Sequence, residues 1–322
     1  MTPPLRVLAV IHMAPPHHNA GAEMMIHTLL RHLVRNGHEV RVLLSRTPER
    51  EYVHGGVTYS RGVTRHELAR WFRWCTVAVT HLDLTRTASS MAIANRKPLA
   101  HIVHNDRQLA YHRVTPRPGV LAVFNSEWIA DSSAWAGESV VVRPPVVAED
   151  YRTTPGECLT LVNLSLSKGA EVFYDLARRL PDHRFLGVRG SYAQQVVPAA
   201  LPGNVTIRDN TPAMRDVYGA TRVLLMPSDY ESWGRVAVEA AASGIPTIAH
   251  PTPGLRESLG PAGIFADRAD PGAWVEAIRR LDKPTAYKKA AAASRARSAA
   301  LDPVAECETF ERALQRLVDA NL

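Results

Sequence analysis

Short apolar runs alternate with helix-period stretches along nearly the whole chain, and this alternation restricts the fold more than any other feature. "LRVLAVI" (5–11) has the length and continuous apolarity of a strand buried on both faces, and "AEMMIHTLLRHLVRNG" (22–37) follows as a helix. In that helix Ile26, Leu29, Leu30, Leu33 and Val34 form one apolar face, and Gly37 supplies the stop. The next strand is "EVRVLLS" (39–45), followed by strands at 76–80, 99–103, 120–124 and 139–143 and helices near 65–74, 86–95 and 126–135. The pattern pauses at "RPPVVAEDYRTTPG" (143–156), where prolines bracket a polar segment. It then resumes with strands at 159–164, 184–188, 205–208, 222–226, 246–250 and 263–266. Helices at 170–180, 212–219, 234–243, 271–281, 287–300 and 303–319 complete the second half. Strand–helix alternation implies a parallel sheet covered on both faces, here twice over. Expected domains are 1–148 and 149–300, with a last helix in 301–322 returning toward the first domain. In such sheets ligands bind beyond the carboxyl ends of the strands.

Composition bounds the functional classes. Of 322 residues, 46% are hydrophobic and 21% charged, as in a globular protein with a sizeable core. Three scattered cysteines (Cys75, Cys158, Cys307) fit neither a disulfide framework nor a zinc site and point to a reducing, cytoplasmic setting. No apolar stretch approaches the roughly 20 residues of a membrane span. The net charge of +7 is uneven: residues 1–150 hold 17 Lys+Arg against 12 Asp+Glu, and 12 of the 14 histidines. This bias suits an acidic partner, and equally a well-solvated arginine-rich surface.

Three strand-to-helix loops can carry chemistry. In "PSDYESWGRVAVEAAASGIP" (227–246), Glu231 precedes a helix and Glu239 lies inside it, where Val236, Val238 and three alanines leave little polar surface. Backbone N–H groups of Ser232, Trp233 and Gly234 would face an anion at the helix start. A buried Glu239 costs several kcal/mol without donors, and ligand hydroxyls would supply them. The second loop, "NLSLSKGAEVF" (163–173), sets Lys168 and Gly169 at a helix N-terminus, where a cation is sensible beside a bound anion or simply exposed in a turn. The third, "PPHHNAGAEMMIHTLL" (15–30), turns at Ala20-Gly21-Ala22 and could bring backbone N–H groups to a phosphate or sugar, although it is neither a dinucleotide fingerprint nor a P-loop.

Together these segments resemble the retaining glycosyltransferases of family 4, within the glycosyl transferases group 1. "PSDYESWGRVAVEAAASGIP" is similar to their Glu-x7-Glu motif and "SKGAEVF" to their Lys-Gly phosphate loop. "AGAEMMIHTLLRHLVRNGHEV", "FNSEWIA", "VVVRPPV" and "PTPGLRESLG" follow in the family's order. The resemblance implies the α/β GT-B fold, with two Rossmann-like doubly wound domains facing across a cleft. It also implies a nucleotide diphosphate sugar as co-substrate, held mostly by the second domain, and no required cofactor or metal; the chain shows no Asp-x-Asp cluster.

Carried over by residue, Glu231 would hold sugar hydroxyls and Glu239 ribose hydroxyls. Trp233 and Gly234 amides would meet the diphosphate or sugar, and Lys168 would supply countercharge. A first-domain histidine near the reacting sugar would be His81, which equally suits a core or capping role; His104 could line the acceptor side. Asn163 stands where the family has an arginine, so Arg235 or Arg189 would compensate, or the donor would be held more loosely. "TRHELARWFRWC" (64–75) joins Arg65, Arg70 and Arg73 to Trp71, Phe72 and Trp74, an acceptor-side contact or an amphipathic helix burying Leu68, Trp71, Phe72 and Cys75.

The expected activity is retaining, metal-independent sugar transfer to a hydroxyl. The acceptor could be acidic: modified DNA, an anionic lipid or a sugar phosphate. A nucleotide-sugar epimerase of the same fold and a non-catalytic nucleotide-sugar-binding protein are the alternatives.

Overall fold

The computed structural model describes residues 3–106 and 114–321. The chain divides into two compact units, one of Met1–Pro145 with Pro303–Leu322, the other of Val146–Asp302.

The first unit is built on an eight-stranded sheet: β1 (Arg6–Ile11), β2 (Glu39–Leu44), β3 (Glu51–His54), β4 (Val57–Arg61), β5 (Val77–His81), β6 (Leu99–Val103), β7 (Val120–Phe124) and β8 (Ser139–Val141). The spatial order is β3-β4-β2-β1-β5-β6-β7-β8, parallel except for the β3–β4 pair. Side chains alternate between faces, as the two-residue strand period requires. From β1, Val7, Ala9 and Ile11 join a core with Met25, Leu29 and Leu33 of the helix Gly21–Arg35. Leu8 and Val10 join the opposite core with Leu68 and Phe72 of the helix Arg65–Trp74 and Ala88 and Ala92 of the helix Thr85–Ala94.

The last helix, Pro303–Asp319, adds Cys307, Phe310, Ala313, Leu314, Leu317 and Val318 to the first of these cores. It is clasped there through Glu311. The carboxylate pairs with His32 Nε2 at 2.7 Å and His38 Nε2 at 2.9 Å, and accepts a hydrogen bond from Asn36 Nδ2 at 2.7 Å.

The second unit has six parallel strands: β9 (Cys158–Val162), β10 (Phe185–Val188), β11 (Val205–Arg208), β12 (Thr221–Met226), β13 (Thr247–Ala249) and β14 (Ile264–Phe265). Their order is β11-β10-β9-β12-β13-β14. Leu159, Leu161, Val223 and Leu225 pack on one face with Phe173 and Leu176 of the helix Ala170–Arg179 and Trp274 and Ile278 of the helix Pro271–Asp282. Leu224 and Met226 turn to the other face, against Ala237 and Val238 of the helix Arg235–Ala241.

In each unit the chain leaves its first strand in one direction across the sheet and later returns to that strand's other side. The return makes a crevice at the strands' carboxyl ends, beside β1 and β5 in one unit and β9 and β12 in the other. Both units are thus Rossmann-like parallel sheets.

The structure differs from the expected elements in several places. The β3–β4 hairpin was not expected; its Gly55 and Gly56 have φ of 58° and 83° and form a tight two-residue connection. The helix expected over 126–135 ends at Ser132. The helix Pro253–Leu259, N-capped by the Thr252 side chain, lies between the strands expected at 246–250 and 263–266, where no element was assigned.

Candidate functional site

In the second unit the crevice is lined by the loops that leave β9 and β12. After β9, Asn163 takes a left-handed conformation (φ 71°), and the chain closes on itself through Lys168 N to Ser165 O and Gly169 N to Leu166 O. Gly169 has φ 88°, and a Cβ there would strike Pro227, so only glycine brings the Lys-Gly turn against the β12 loop. The two loops are joined directly by Asp229 N donating to Ser167 O at 2.9 Å. Arg268, after β14, clamps both: its guanidinium donates to the carbonyls of Leu166, Ser167 and Pro227 at 2.7, 3.2 and 3.0 Å.

This frame brings together two residues that lie 63 positions apart. Lys168 Nζ donates to Glu231 Oε1 at 2.6 Å, and Ser228 Oγ donates to the same oxygen at 3.0 Å. Both paired side chains are mostly buried, with 16% and 13% of their surface exposed. Burial pulls the Lys168 pKa down, but the Glu231 charge and hydrogen bond, helped by the Tyr192 phenol, raise it above the usual lysine value. Lys168 is therefore a fixed cation at neutral pH.

Gly234, with φ 86°, precedes the helix Arg235–Ala241, and a Cβ there would come within 2.5 Å of Leu255 Cδ2. Gly254 lies so close behind the Glu231–Ser232 backbone that any Cβ would overlap it. Ser232 lies in this same loop, and Trp233 beside it is buried.

Glu239 is only 5% exposed, as the apolar run around it suggested. Its partners come from the chain itself. Arg235 Nε donates to Glu239 Oε1 and Tyr218 OH to Glu239 Oε2, both at 2.7 Å; Arg235 also donates to Tyr151 OH at 3.0 Å. The expectation that its buried charge depends on ligand hydroxyls is corrected accordingly, although each carboxylate oxygen keeps a second lone pair. Arg235 is held in this network and is not free for a diphosphate. Arg189, after β10, is half-buried, with Nε 3.3 Å from Asp209 Oδ1. Burial and the Glu239 charge push the Tyr151 hydroxyl up to about 12, against an opposing pull from Arg235.

In the first unit the crevice is rich in imidazole. His81 closes β5, 1% exposed, with its Nδ1 3.0 Å from Nε2 of His104, which follows β6. Burial lowers the pKa of both rings, partly opposed at His81 by Glu23 and Asp83 and reinforced at His104 by His81 and His101. Both are neutral at pH 7, and their contact requires one ring nitrogen to donate and the other to accept. Glu23 lies buried in the first turn of the helix opened by Gly21, with Oε1 3.5 Å from His18 Nδ1. Burial raises its pKa, but His18 and His81 outweigh that effect and leave it below the usual carboxylate value.

The helix Arg65–Trp74 buries Leu68 and Phe72, with Cys75 buried just beyond it. Arg70 and Arg73 are exposed, and Trp71 lies between the guanidiniums of Arg41 and Arg70, at 5.7 and 5.4 Å from its ring centre. Among the described residues no helix is long and apolar enough to cross a membrane, and no group of three or more His, Cys, Asp and Glu side chains is arranged to hold a metal.

Sequence reading missed Arg268, Tyr218, Tyr151, Gln195 and Tyr192. All reach the site from distant elements, and none carries a local motif.

Residues 159–283 match the family model described as Glycosyl transferases group 1. No curated protein sequence matches the chain at a significant level. Among solved structures, sucrose-phosphate synthase from Thermosynechococcus elongatus superposes with a TM-score of 0.78 at 18% identity, covering 98% of this chain and 100% of that one. HepE from Anabaena, solved in complex with UDP-glucose, superposes with a TM-score of 0.79 at 16% identity, covering 97% and 100%. AviGT4, a glycosyltransferase involved in avilamycin A biosynthesis, gives 0.65 at 18% identity, covering 98% of both chains. At these identities the structural likeness speaks for the fold. The chain thus has the α/β fold of GT-B glycosyltransferase structures, two Rossmann-like units, and its residues 159–283 match the glycosyl transferases group 1 domain.

Proposed function

We propose that this chain is a retaining, metal-independent glycosyltransferase of the family 4 type, working in the cytoplasm and moving a sugar from a nucleotide diphosphate sugar to an acceptor hydroxyl. The observation that carries the reading is the Lys168–Glu231 pair at 2.6 Å, set where the sheet order reverses and inside the segment matched by the group 1 model. The UDP-glucose bound by HepE is in keeping with a nucleotide-sugar donor.

The pair accounts for binding as an exchange of partners. A donor diphosphate brings negative charge to the Lys168 ammonium, and Glu231 is released to accept hydrogen bonds from sugar hydroxyls. When the bond between the anomeric carbon and the diphosphate oxygen breaks, charge grows on the departing phosphate, where a fixed cation is most effective. The acceptor hydroxyl attacks the same face of the sugar, and its proton passes to the leaving phosphate oxygen. His81 and His104, neutral and buried, would orient sugar or acceptor hydroxyls. The excess of positive charge in residues 1–150 favours an acidic acceptor.

The test measures nucleoside diphosphate release across UDP-, GDP-, ADP- and dTDP-sugars with pooled lipid, sugar-phosphate and hydroxymethylated-DNA acceptors. One donor should turn over, with the sugar's anomeric configuration kept in the product, and both Glu231→Ala and Lys168→Ala should abolish turnover. A donor isomerised without acceptor would replace transfer by epimerisation. Tight donor binding with neither reaction would leave a binding protein.

A further inference from the structure

The segment Arg189–Val196, leaving β10, is pinned over the end of β9 by one side chain. Gln195 Oε1 accepts hydrogen bonds from Leu164 N at 2.8 Å and Gly190 N at 2.7 Å. Its Nε2 donates to Asn163 Oδ1 at 2.9 Å and to the carbonyls of Tyr192 and Ala193 at 2.9 and 3.2 Å. A fixed strap results, closed further by Val196 N to Leu164 O at 2.7 Å.

Only four non-glycine residues among those described have positive φ, and two of them, Asn163 and Ala193, meet at this pin. Such conformations cost about 1–3 kcal/mol each and persist where the surroundings enforce them. The strap must therefore be held in this shape against its own backbone preference.

The pin also fixes the Asn163 amide. Its Oδ1 accepts from Ser165 N and Gln195 Nε2, so the orientation of the side chain is determined, and its buried Nδ2 has no hydrogen-bond partner. The strap carries Tyr192, 47% exposed, with its phenol beside the Lys168 ammonium. Two hydrogen-bond donors, the Tyr192 hydroxyl and the Lys168 ammonium, thus meet at the β9 loop, whose first residue is Asn163. Two of the nearby arginines are already engaged: Arg268 is spent on three carbonyls and Arg235 on Glu239 and Tyr151.

We propose that the Gln195-pinned strap is a diphosphate grip, in which Tyr192 donates its hydroxyl to the diphosphate of a nucleoside diphosphate held by Lys168. This rests on the donor-site reading given above. Gln195 acts as a positioning residue, through the strap.

The decisive variant is Tyr192→Phe, which keeps the ring and removes only the hydroxyl. The full chain is titrated calorimetrically with UDP, GDP, ADP and dTDP and with the corresponding monophosphates, alongside thermal unfolding. Loss of a hydrogen bond to a charged acceptor should weaken the preferred diphosphate by about 10-fold or more. The monophosphate should lose less, and the unfolding midpoint should not move. Gln195→Ala should weaken the diphosphate as well, while lowering the midpoint because two backbone donors lose their acceptor.

Unchanged diphosphate affinity in Tyr192→Phe, or an equal loss for mono- and diphosphates, overturns the grip. Lys168→Ala separates this from the donor site itself. Binding lost there but retained in Tyr192→Phe removes the strap and leaves the site. Wild-type protein that binds no nucleoside diphosphate overturns both.

Discussion

Arg235→Ala tests whether the buried network around Glu239 is held together by charge compensation. The substitution deletes the 2.7 Å bond to Glu239 Oε1 and the 3.0 Å bond to Tyr151 OH, leaving a carboxylate that is 5% exposed with only Tyr218 still donating to it. Removing one member of a buried ion pair costs about 3–5 kcal/mol, because the other charge stays out of water uncompensated. In a unit of this size each kcal/mol moves the midpoint by about 2–4 °C, so thermal unfolding of the second unit should fall by roughly 6–20 °C. Trp233, buried at 2% exposure near this network, makes tryptophan fluorescence a suitable readout of that transition. The double variant Arg235→Met with Glu239→Leu should recover much of the loss, since an apolar pair of similar volume can replace a buried ion pair at little cost. A single variant within about 1 kcal/mol of wild type would refute the reasoning. So would a double variant no better than the single one.

The histidine pair predicts a pH dependence. Burial depresses the folded-state pKa of His81 and His104, so the unfolded chain binds protons first, near pH 6.5; the first unit should be fully stable above that pH and lose stability as pH falls through it, by at most ~1.4 kcal/mol per pH unit for each ring. Thermal midpoints from pH 8 to 5.5 should show this slope, and His104→Gln should flatten it. Gly254→Ala would drive a Cβ into the Glu231 and Ser232 backbone, shifting that loop at a cost of about 1–3 kcal/mol; donor affinity should drop by more than the stability loss explains, as read by titration at a temperature where the variant is folded. Glu311→Ala removes the partner shared by His32, Asn36 and His38, and hydrogen exchange along Pro303–Asp319 should accelerate, with about 1–3 kcal/mol of local protection lost. Unchanged exchange would show that the apolar face of this helix holds it unaided.

The doubly wound fold was legible because parallel strands buried on both faces leave continuous apolar runs: β6 and β7 occupy the expected residues 99–103 and 120–124, and β1 and β2 differ by a residue at an end. The β3–β4 hairpin escaped because it lies at the sheet edge, where Glu51 and Val53 are exposed, Tyr52 and His54 are only half-buried, and the four form no apolar run. At the candidate site the sequence singled out Lys168 and Glu231 in separate loops, and a charge at 239 out of place among apolar neighbours. It could not show that the first two touch, or that Tyr218 and Tyr151, 21 and 84 positions from their partners, complete the network around the third. Such partners are chosen by the fold, and tyrosine or arginine at those positions carries no periodic signal. Gln195 is the clearest case: a glutamine in a loop looks like any polar surface residue until five of its hydrogen bonds are drawn.

The return of Pro303–Asp319 to the core of the first unit has a consequence for biosynthesis. Residues 6–141 contain all eight strands of that sheet, yet the side chains that close one of its faces, from Cys307 to Val318, are synthesised only after the whole second unit. At about 5–20 residues per second, the nascent first unit waits some 10–35 s with Leu29, Leu33 and their neighbours incompletely covered. The second unit lies wholly within Val146–Asp302 and can fold during that interval. Folding order during translation is then the reverse of the order of the units along the chain. A premature stop just before Pro303 would release a complete second unit joined to a first unit that cannot close.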